Sequence, residues 1–434
     1  MQYGREKLRL SGRYRRIVSL CCLCVMTWTS ACSSLLEVET PGLVVSTALN
    51  DPAMAPILVS TALGEFECGF NQWVPTVGIL TGEYWNSNAI VDGNTWAALS
   101  FQINTFAGTC TSNTLTTTGF GFYAPLQTAR FTIENAQTIL GGFTVAQVPA
   151  LAEDLAQLQV YDAYTYLLLG EGMCSMTVNG GPMISRAQTF AIADSMFTKG
   201  LTLAAAAGDA DLTSMSYVGR ARTRLDAGNT AGAAADAAQV PPNYLKNAEY
   251  SVAKLDRENR MYLLTFTNLF ISVAPAYQNL TVNGVADPRV PVKNLAKLGP
   301  DNLTTVWQQQ KYLGSASVPL PLASWKEAQL ILAETSTGQT QINAINAARS
   351  AQGVTPIVIP AGANMDSVVT EERRRALFSE GTRLEDMLRK KIPFPTGLNH
   401  KLATYGPTTC VPLPLVESQN NPNLSGITIP TTPF

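Results

Sequence analysis

The sequence predicts a mainly α-helical fold, in which stacked helix pairs form a scaffold and irregular, loop-rich insertions carry short strands. Apolar residues recur at three- and four-residue steps over residues 123–238 and 322–391, as in amphipathic helices. Residues 65–118, rich in Gly, Asn, Thr and Trp, and residues 240–320 show few periodic runs. Long loops in a compact protein are usually functional. We therefore predict one scaffold with both insertions on one face.

Each helix is predicted from the recurrence of its apolar side chains. Leu155, Leu158, Tyr161 and Leu169, for example, follow the helical repeat. The predicted helices cover residues 51–62, 123–140, 151–169, 186–206, 214–227, 231–238, 325–335 and 339–351, with a charged helical region over 365–391. The tail from Pro393 is rich in Pro, Asn and Thr, and we predict that it is coil.

One helix pair is recognisable as a unit. Residues 217–229, followed by residues 231–238, look like a tetratricopeptide repeat. Their small residues let two antiparallel helices approach closely, and Gly228-Asn229 favours a left-handed turn between them. Pairs of this kind stack, each covering the apolar face of its neighbour. An unspecific helical bundle has the same periodicity and is the alternative.

The first 31 residues have the pattern of a secretory signal peptide. Six of the 30 Lys and Arg residues lie there with a single acid, Glu6, ahead of an apolar run over residues 17–28. A retained membrane anchor is the alternative, but the run is short for a spanning helix. Cleavage after residue 31 leaves 24 basic and 31 acidic residues, a net charge of -7, which disfavours a nucleic-acid partner. The mature domain is then residues 32–434.

The residues at the end of this leader, Thr29-Ser30-Ala31-Cys32, resemble a bacterial lipobox. In such a motif the cysteine is acylated and becomes the first residue of the mature chain. Acyl chains contribute about 0.8 kcal/mol per buried methylene, so they hold a protein at a bilayer without a spanning helix. We predict lipidation of Cys32. Thr29 stands where the lipobox usually has Leu, so ordinary cleavage with Cys32 left unmodified is the alternative.

Four cysteines remain after the leader: Cys68, Cys110, Cys174 and Cys410. In an oxidising compartment an even number permits disulfides, here with three alternative pairings. We favour a bridge between Cys68 and Cys110, since both lie in the first loop-rich segment. None of the four belongs to a Cys-x-x-Cys or Cys/His pattern, so no metal site is predicted.

The most specific motif is a charged segment over residues 371–389, with the sequence EERRRALFSEGTRLEDMLR. It resembles the signature helix of the SusD/RagB family of nutrient-uptake outer-membrane lipoproteins. Further segments agree in the expected order, at residues 33–41, 320–334, 342–349 and 411–424. The positions taken as the structural signature are Glu372, Arg373, Glu380, Gly381, Arg383 and Asp386.

The resemblance implies a division of labour within the chain. A tetratricopeptide-type scaffold would contact a SusC-like, TonB-dependent outer-membrane porter, and the variable insertions would meet the ligand. Members of the family gather oligosaccharides or, in some cases, peptides. The chain is accordingly expected to be surface-exposed, anchored to the outer membrane by lipid, and to use no cofactor.

The signature segment is itself predicted to be structural. Two acid-first ion pairs at a spacing of four residues are expected along it, Glu371 with Arg375 and Glu385 with Arg389. We expect Glu380, Arg383 and Asp386 to form a partly buried cluster that fixes this helix to its neighbours.

A surface glycan-degrading enzyme is the alternative from another functional class. It would need paired carboxylates, and the adjacent pairs available are Glu371 with Glu372 and Glu385 with Asp386. Adjacent residues on a helix point in different directions, which disfavours an acid–base role for either pair. The one histidine, His400, is predicted to be a surface residue. A protein-binding tetratricopeptide adaptor is a third hypothesis, which the aromatic-rich loops disfavour.

Aromatic side chains next to amides suggest where a sugar would bind, because flat rings pack against sugar C–H groups. The predicted ligand-binding residues are Tyr84, Trp85, Asn86, Asn88, Trp96, Tyr277 and Trp307. Trp73, Asp92, Asn94 and Gln308 lie beside them in the sequence. Tyr84 and Trp85 with the neighbouring asparagines form the favoured platform. The alternative is that these rings fill the small cores of the loops.

Overall fold

The computed structural model describes residues 49–100, 108–110 and 120–433. The compact unit that carries every element below begins at Asp51. The predicted leader and Cys32 lie outside the described residues, as do residues 101–107 and 111–119 of the first predicted insertion. Within the described part of the chain, no helix combines the length and the apolar character needed to cross a membrane.

The fold is mainly α-helical, as the sequence predicts. Its helices are α1 (Ala55–Leu80), α2 (Val91–Ala97), α3 (Tyr123–Leu140), α4 (Leu151–Gly172), α5 (Arg186–Ala207), α6 (Ala210–Asp226), α7 (Thr230–Ala237), α8 (Arg260–Tyr262, continued by a π-helical turn over Leu263–Thr267), α9 (Trp325–Thr335), α10 (Gly338–Ser350), α11 (Met365–Ala376), α12 (Arg383–Arg389) and α13 (Leu415–Asn420). Short 3₁₀ turns cover Pro52–Met54, Leu255–Arg257, Pro275–Tyr277 and Pro422–Leu424.

The strands are short and pair two by two. They are β1 (Tyr84–Asn86), β2 (Ser175–Met176), β3 (Ile184–Ser185), β4 (Leu245–Ala248), β5 (Ile271–Val273), β6 (Thr281–Val282), β7 (Val285–Ala286), β8 (Val292–Leu298), β9 (Thr305–Gln309) and β10 (Leu320–Ser324). The antiparallel pairs are β1–β5, β2–β3, β4–β10, β6–β7 and β8–β9. Most of these strands fall in the second predicted insertion, as expected for a loop-rich segment.

The helices from α3 to α7 pack each against the next, and α9 then packs against α7, α10 and α11. Small residues make the close approaches possible, because a side chain at Gly219 of α6 would collide with the ring of Phe197 on α5. Gly228, at φ 79°, forms the left-handed turn between α6 and α7, and Asn229 caps α7. The predicted stacking of paired helices is therefore present.

The first predicted insertion begins later than the sequence suggested, because residues 65–80 are helical. They complete α1, which is buried around most of its circumference from Phe66 onward. A helix buried on all sides shows no amphipathic period, and its Gly and Pro residues look like loop signals. Gly69 instead lets α1 approach Leu126 on α3, and Pro75 lies inside the helix. The irregular segment proper starts after Leu80.

The predicted helical region over residues 365–391 is also divided. Helix α11 ends at Ala376 and α12 starts at Arg383, because Ser379 and Gly381 adopt left-handed backbone conformations, with φ of 62° and 78°. The indole of Trp73 donates a hydrogen bond to the carbonyl of Gly381 at 2.9 Å. A side chain at Gly381 would collide with that indole. The break in the signature segment therefore gives Trp73 of helix α1 room to pack and form its hydrogen bond.

Two disulfides close the fold. Cys68 is bonded to Cys110, the pairing favoured from the sequence, and Cys174 is bonded to Cys410. The second bridge holds the C-terminal tail against the end of α4, where Met173 and Val411 also form a parallel β-bridge. The tail is thereby fixed beside the helices rather than left as unattached coil.

The signature segment is embedded in a buried charge network, whose partners differ in part from the predicted ones. Glu371 does bind Arg375, at 2.6 Å. The prediction that Glu385 pairs with Arg389 is wrong, because Glu385 binds Arg186 of α5. Arg389 binds Glu334 of α9 instead. Tertiary contacts outweigh helical spacing here because the segment is surrounded by other helices.

The expected cluster of Glu380, Arg383 and Asp386 is divided among separate contacts. Glu380 accepts hydrogen bonds from Lys311 at 2.5 Å and from Lys326. Asp386 binds Arg373 of α11 at 2.8 Å. Arg383 joins neither group by a salt bridge or hydrogen bond to a described residue. The physical reason is the helix break, which turns the two acids toward different neighbours.

Candidate functional site

A cavity of about 520 Å³ lies where β1 and the signature helices meet the C-terminal tail. Pockets that hold sugars or other small molecules usually measure about 300–1,000 Å³. Its lining residues are Thr81, Gly82, Trp85, Ala274, Pro275, Ala276, Tyr277, Arg374, Arg383, Met387, Ile392, Pro393, Pro395 and Tyr405. Elements far apart in the sequence therefore build one concave surface.

Trp85 is the predicted ligand residue that lines this cavity with a half-buried ring. Strand β1 orients it: Trp85 pairs with Ser272, and the alternation of the strand sends Tyr84 and Asn86 to the opposite, buried side. The indole stacks on the ring of His400, with 4.3 Å between ring centres and an angle of 2° between planes. The ring is therefore held in one orientation.

His400 corrects another prediction, since it is half-buried rather than a plain surface residue. Its Nε2 lies 3.0 Å from the carbonyl oxygen of Asn86, and its ring backs Trp85. Burial lowers the pKa of His400 below its usual value. A neutral imidazole therefore supports the indole at neutral pH.

Tyr84 and Tyr277 belong to the core beneath the cavity. Tyr84 is 1% exposed, donates its hydroxyl to Ser379 Oγ at 2.8 Å and stacks on Phe378. Tyr277 is also buried and also stacks on Phe378, with 5.1 Å between the ring centres. Burial raises the pKa of both phenols. The Tyr84 half of the favoured platform thus offers no open ring face, and Tyr277 contributes to the cavity wall only in part.

Asn86, Asn88 and Trp96 organise the loop behind β1. Asn86 donates to Asn94 Oδ1 at 2.7 Å, and the side chain of Asn88 accepts the amide of Ile90 at 2.7 Å. Trp96 is fully buried. These residues shape the loop from within, which is the alternative role considered for them. They offer no surface to a ligand in this conformation.

Trp307 lies outside the cavity. It sits on β9 opposite Asn294 of β8, and its backbone amide donates to Ser272 Oγ at 2.8 Å. Gln308 uses its side-chain amide to contact the carbonyl of Thr265. Trp307 is half-buried, and it does not line the cavity that Trp85 lines. A ligand role for it stays a prediction.

Tyr405, Arg374 and Arg383 are cavity residues that the sequence did not single out as ligand-binding. Tyr405 comes from the tail, where Gly406 donates its amide to the carbonyl of Ala98 at 2.7 Å. No periodic pattern marks such a residue, so only the folded chain reveals it. The two arginines belong to the signature segment, whose charge pattern suggested a purely structural role.

The two arginines of the cavity differ in their surroundings. Arg374 donates two hydrogen bonds to Glu371, at 2.6 and 2.8 Å, and its guanidinium lies 4.6 Å from the ring centre of Tyr277. The Nε and Nη1 atoms of Arg383 are buried and have no hydrogen-bond partner among the described residues. Glu83 is near, and burial raises the pKa of this carboxyl to about 7.

A second cavity, of about 470 Å³, adjoins the Cys68–Cys110 disulfide. Its described lining residues carry charges of both signs, including Glu65, Asp256 and Arg257, and none of them is aromatic. Burial raises the pKa of Glu65. Without a flat ring face, this cavity is the weaker candidate for a sugar.

The paired carboxylates considered for catalysis are occupied by arginines. Glu372 accepts hydrogen bonds from Arg289 at 2.6 Å and from Arg349 at 2.7 Å. The other three acids also bind arginines: Glu371 binds Arg375, Glu385 binds Arg186, and Asp386 binds Arg373. No group of three His, Cys, Asp or Glu side chains suited to a metal is found in the residues that the structure describes.

Comparison with known proteins separates sequence similarity from fold similarity. No family model matches the sequence, and the search of curated proteins found no similar one. Solved structures do match along most of the chain. A surface glycan-binding protein A from Bacteroides uniformis has 13% identity and a TM-score of 0.63, with 84% of this chain and 98% of that chain covered.

Two further structures give the same picture. The surface glycan-binding protein A from Bacteroides thetaiotaomicron has 12% identity and a TM-score of 0.63, with 87% of this chain and 98% of that one covered. A laminarin-binding SusD-like protein has 12% identity and a TM-score of 0.62, with 83% and 96% covered. The chain therefore has a SusD-like fold, and the fold expected from the signature helix is confirmed.

Proposed function

We propose that this chain is a SusD/RagB-type binding protein that captures an oligosaccharide at the cavity beside Trp85. The observation that carries the proposal is the Trp85 ring, braced by His400 at 4.3 Å, in the wall of a 520 Å³ cavity. Tyr405 adds a second half-buried aromatic ring to the same wall. Rigid rings provide large contact area to a sugar at little cost in conformational entropy.

Two further observations support capture without chemistry. The neighbours with the same fold include proteins described as glycan-binding and laminarin-binding. The carboxylate pairs that a glycosidase would use are bound by arginines, as Glu372 is by Arg289 and Arg349. No carboxylate is found among the described residues that line the cavity.

The location of the protein in the cell and its partner are part of the same proposal. A leader that ends at Cys32 in a lipobox-like sequence supports a lipid anchor in the outer membrane with the domain exposed at the surface. The SusD-like fold supports a SusC-like, TonB-dependent porter as the partner that receives the ligand. Peptide capture is the other ligand class that the resemblance allows, and the binding test below includes it.

The test is calorimetric titration of the protein with soluble oligosaccharides and with a peptide mixture. We expect Trp85→Ala to weaken oligosaccharide binding about tenfold or more, as loss of a central Trp anchor usually does. The melting temperature should stay nearly unchanged, because the ring is half-buried at the cavity wall. Trp325→Ala is the matched control, since it removes a half-buried tryptophan side chain that lies outside the cavity.

Unaltered affinity in Trp85→Ala would remove this site. Binding of peptides alone would redirect the proposal to peptide capture. Chromatography of the oligosaccharides after prolonged incubation checks for catalysis, and new shorter products from the purified protein would contradict the proposed absence of an enzymatic activity.

A further inference from the structure

The electrostatic character of the cavity indicates more than its shape does. Among the described residues that line it, only Arg374 and Arg383 are charged, and both are positive. The remaining lining residues are apolar, aromatic or neutral. A positive potential in a concave apolar wall attracts an anionic group more strongly than the same charge does at an open surface.

Arg374 already has partners. Two of its three guanidinium nitrogens donate to Glu371, and the third donates to the carbonyl of Ala276 at 2.9 Å. The guanidinium also lies over the ring of Tyr277. The charge of Arg374 is therefore largely neutralised by Glu371. Its guanidinium helps to hold the ring of Tyr277 in place.

Arg383 differs from the other buried arginines of the signature region. Arg373 and Arg389 bind carboxylates directly, at Asp386 and Glu334. Arg383 makes no salt bridge or hydrogen bond to any described residue, and its Nε and Nη1 are buried without an acceptor. Leaving a charged donor unsatisfied costs free energy that an acceptor in the cavity would recover.

The acids near Arg383 make no salt bridge or hydrogen bond with it. Glu83 is fully buried and accepts the amide of Ser379 at 3.0 Å. Asp386 is already bound by Arg373 at 2.8 Å and by Arg389 at 2.9 Å. The Nε and Nη1 donors of Arg383 therefore remain without an acceptor among the described residues, and a group that enters the cavity would supply one.

We infer that the cavity takes an acidic oligosaccharide, with the Arg383 guanidinium binding the carboxylate of a uronic acid residue while Trp85 contacts a sugar ring. The inference rests on the proposed function and names its ligand class. A planar guanidinium matches a carboxylate in two-point geometry, which gives orientation as well as attraction. The neutral remainder of the wall then suits the sugar rings.

The experiment compares acidic oligosaccharides with their own neutral forms. Oligogalacturonates and glucuronoxylan oligosaccharides are titrated beside the same compounds after reduction of their carboxyl groups, which keeps linkage and length. We expect the wild-type protein to bind one acidic compound at least about tenfold more tightly than its reduced form, as a charge-assisted hydrogen bond implies. A sulfated galactan oligosaccharide forms a third arm.

The variant Arg383→Gln should lower affinity for the acidic form about tenfold or more and leave affinity for the reduced form unchanged. Lys199→Gln is the matched control: it makes the same change in net charge on the exposed face of α5, and both affinities should stay as in wild type. Arg383→Lys keeps the charge without the two-point geometry. Its affinity for the acidic form should therefore lie between that of the wild-type protein and that of Arg383→Gln.

Several results would overturn the inference. Equal binding of acidic and reduced forms by the wild-type protein would do so and would leave the proposed function intact, and this comparison needs no variant to fold. Preference for the sulfated compound alone would show that the cavity binds a sulfate group and would contradict the inferred uronic acid ligand. Binding that depends on Arg383 but not on Trp85 would contradict the proposed site itself.

Discussion

The buried charge network between the helices and the cavity beside Trp85 both contain arginines, but the arginines of the two regions are paired differently. Inside the helical scaffold, Arg222 binds Glu171 through two hydrogen bonds of 2.6 Å, and their side chains are 6% and 0% exposed. In the cavity wall, Arg383 has no such partner among the described residues.

The difference teaches how to separate structural charges from binding charges in a chain of this fold. A paired, buried arginine satisfies its acid, and removing it leaves the acid unsatisfied. An unpaired arginine beside a cavity stabilises nothing in the isolated protein to a comparable extent. The first kind should therefore affect folding, and the second should affect ligand binding.

The largest expected effect is on Arg222. Arg222→Met leaves Glu171 buried without its partner, so we expect the free energy of unfolding to fall by about 3–5 kcal/mol, as for other broken buried pairs. Denaturant unfolding followed by circular dichroism measures it. The double variant Arg222→Met with Glu171→Met should recover much of the loss, because neither charge is then left alone. A single variant as stable as wild type would show that the network is not structural.

An intermediate effect is expected for Glu83, which lies beneath the cavity. Burial raises its pKa from 4.5 to about 7, so the folded state prefers the protonated carboxyl. The stabilisation from this preference is fully present below about pH 4.5 and is lost as the pH rises through 7. Glu83→Gln should therefore reduce the decline in unfolding free energy between pH 5 and 8, by up to about 3 kcal/mol.

Other groups set the background of that measurement. Glu327 has its pKa raised to about 7, so a residual decline of the same sign should persist in the variant. The pKa of Asp386 is lowered to about 2, so this group titrates below the chosen window. Glu153→Gln, which makes the same substitution at an exposed position of α4, is the control variant. A Glu83→Gln profile parallel to wild type would rule out this role for Glu83.

The smallest effect is expected at Glu371, which binds Arg374 and Arg375 at the edge of α11 and is 40% exposed at its side chain. Exposed pairs contribute about 0–1 kcal/mol, so Glu371→Gln should lower the unfolding free energy by no more than that. Thermal unfolding in low and high salt provides the measurement. A loss as large as that of Arg222→Met would erase the distinction between exposed and buried pairs.

The sequence predicted much of the scaffold, because half-exposed helices carry a visible apolar repeat. Helices α3 to α7 and α9 to α10 lie close to their predicted bounds. It failed for residues 65–80 of α1 for the opposite reason: a helix buried on every side has no polar face to set the repeat. The break at Ser379 was missed because a serine with positive φ carries no signature in the sequence.

The site was predicted only in outline. Alternation along β1 explains why Trp85 lines the cavity while its neighbours Tyr84 and Asn86 are buried, but the partner strand that fixes this alternation is 185 or more residues away. His400 and Tyr405, from the tail, complete the wall. Aromatic content marked the segment that contributes Trp85 to the cavity wall, without showing that Tyr84 and Trp96 are buried.

By itself the sequence determined the helical class and the stacked pairs, because these depend on the local spacing of apolar residues. The signature segment was recognised by its resemblance to a known family. Only the tertiary structure decided that Glu385 binds Arg186, that His400 backs Trp85, and that Arg383 has no partner among the described residues. The reason is physical: burial and pairing depend on which distant segments meet, and local spacing does not contain that information.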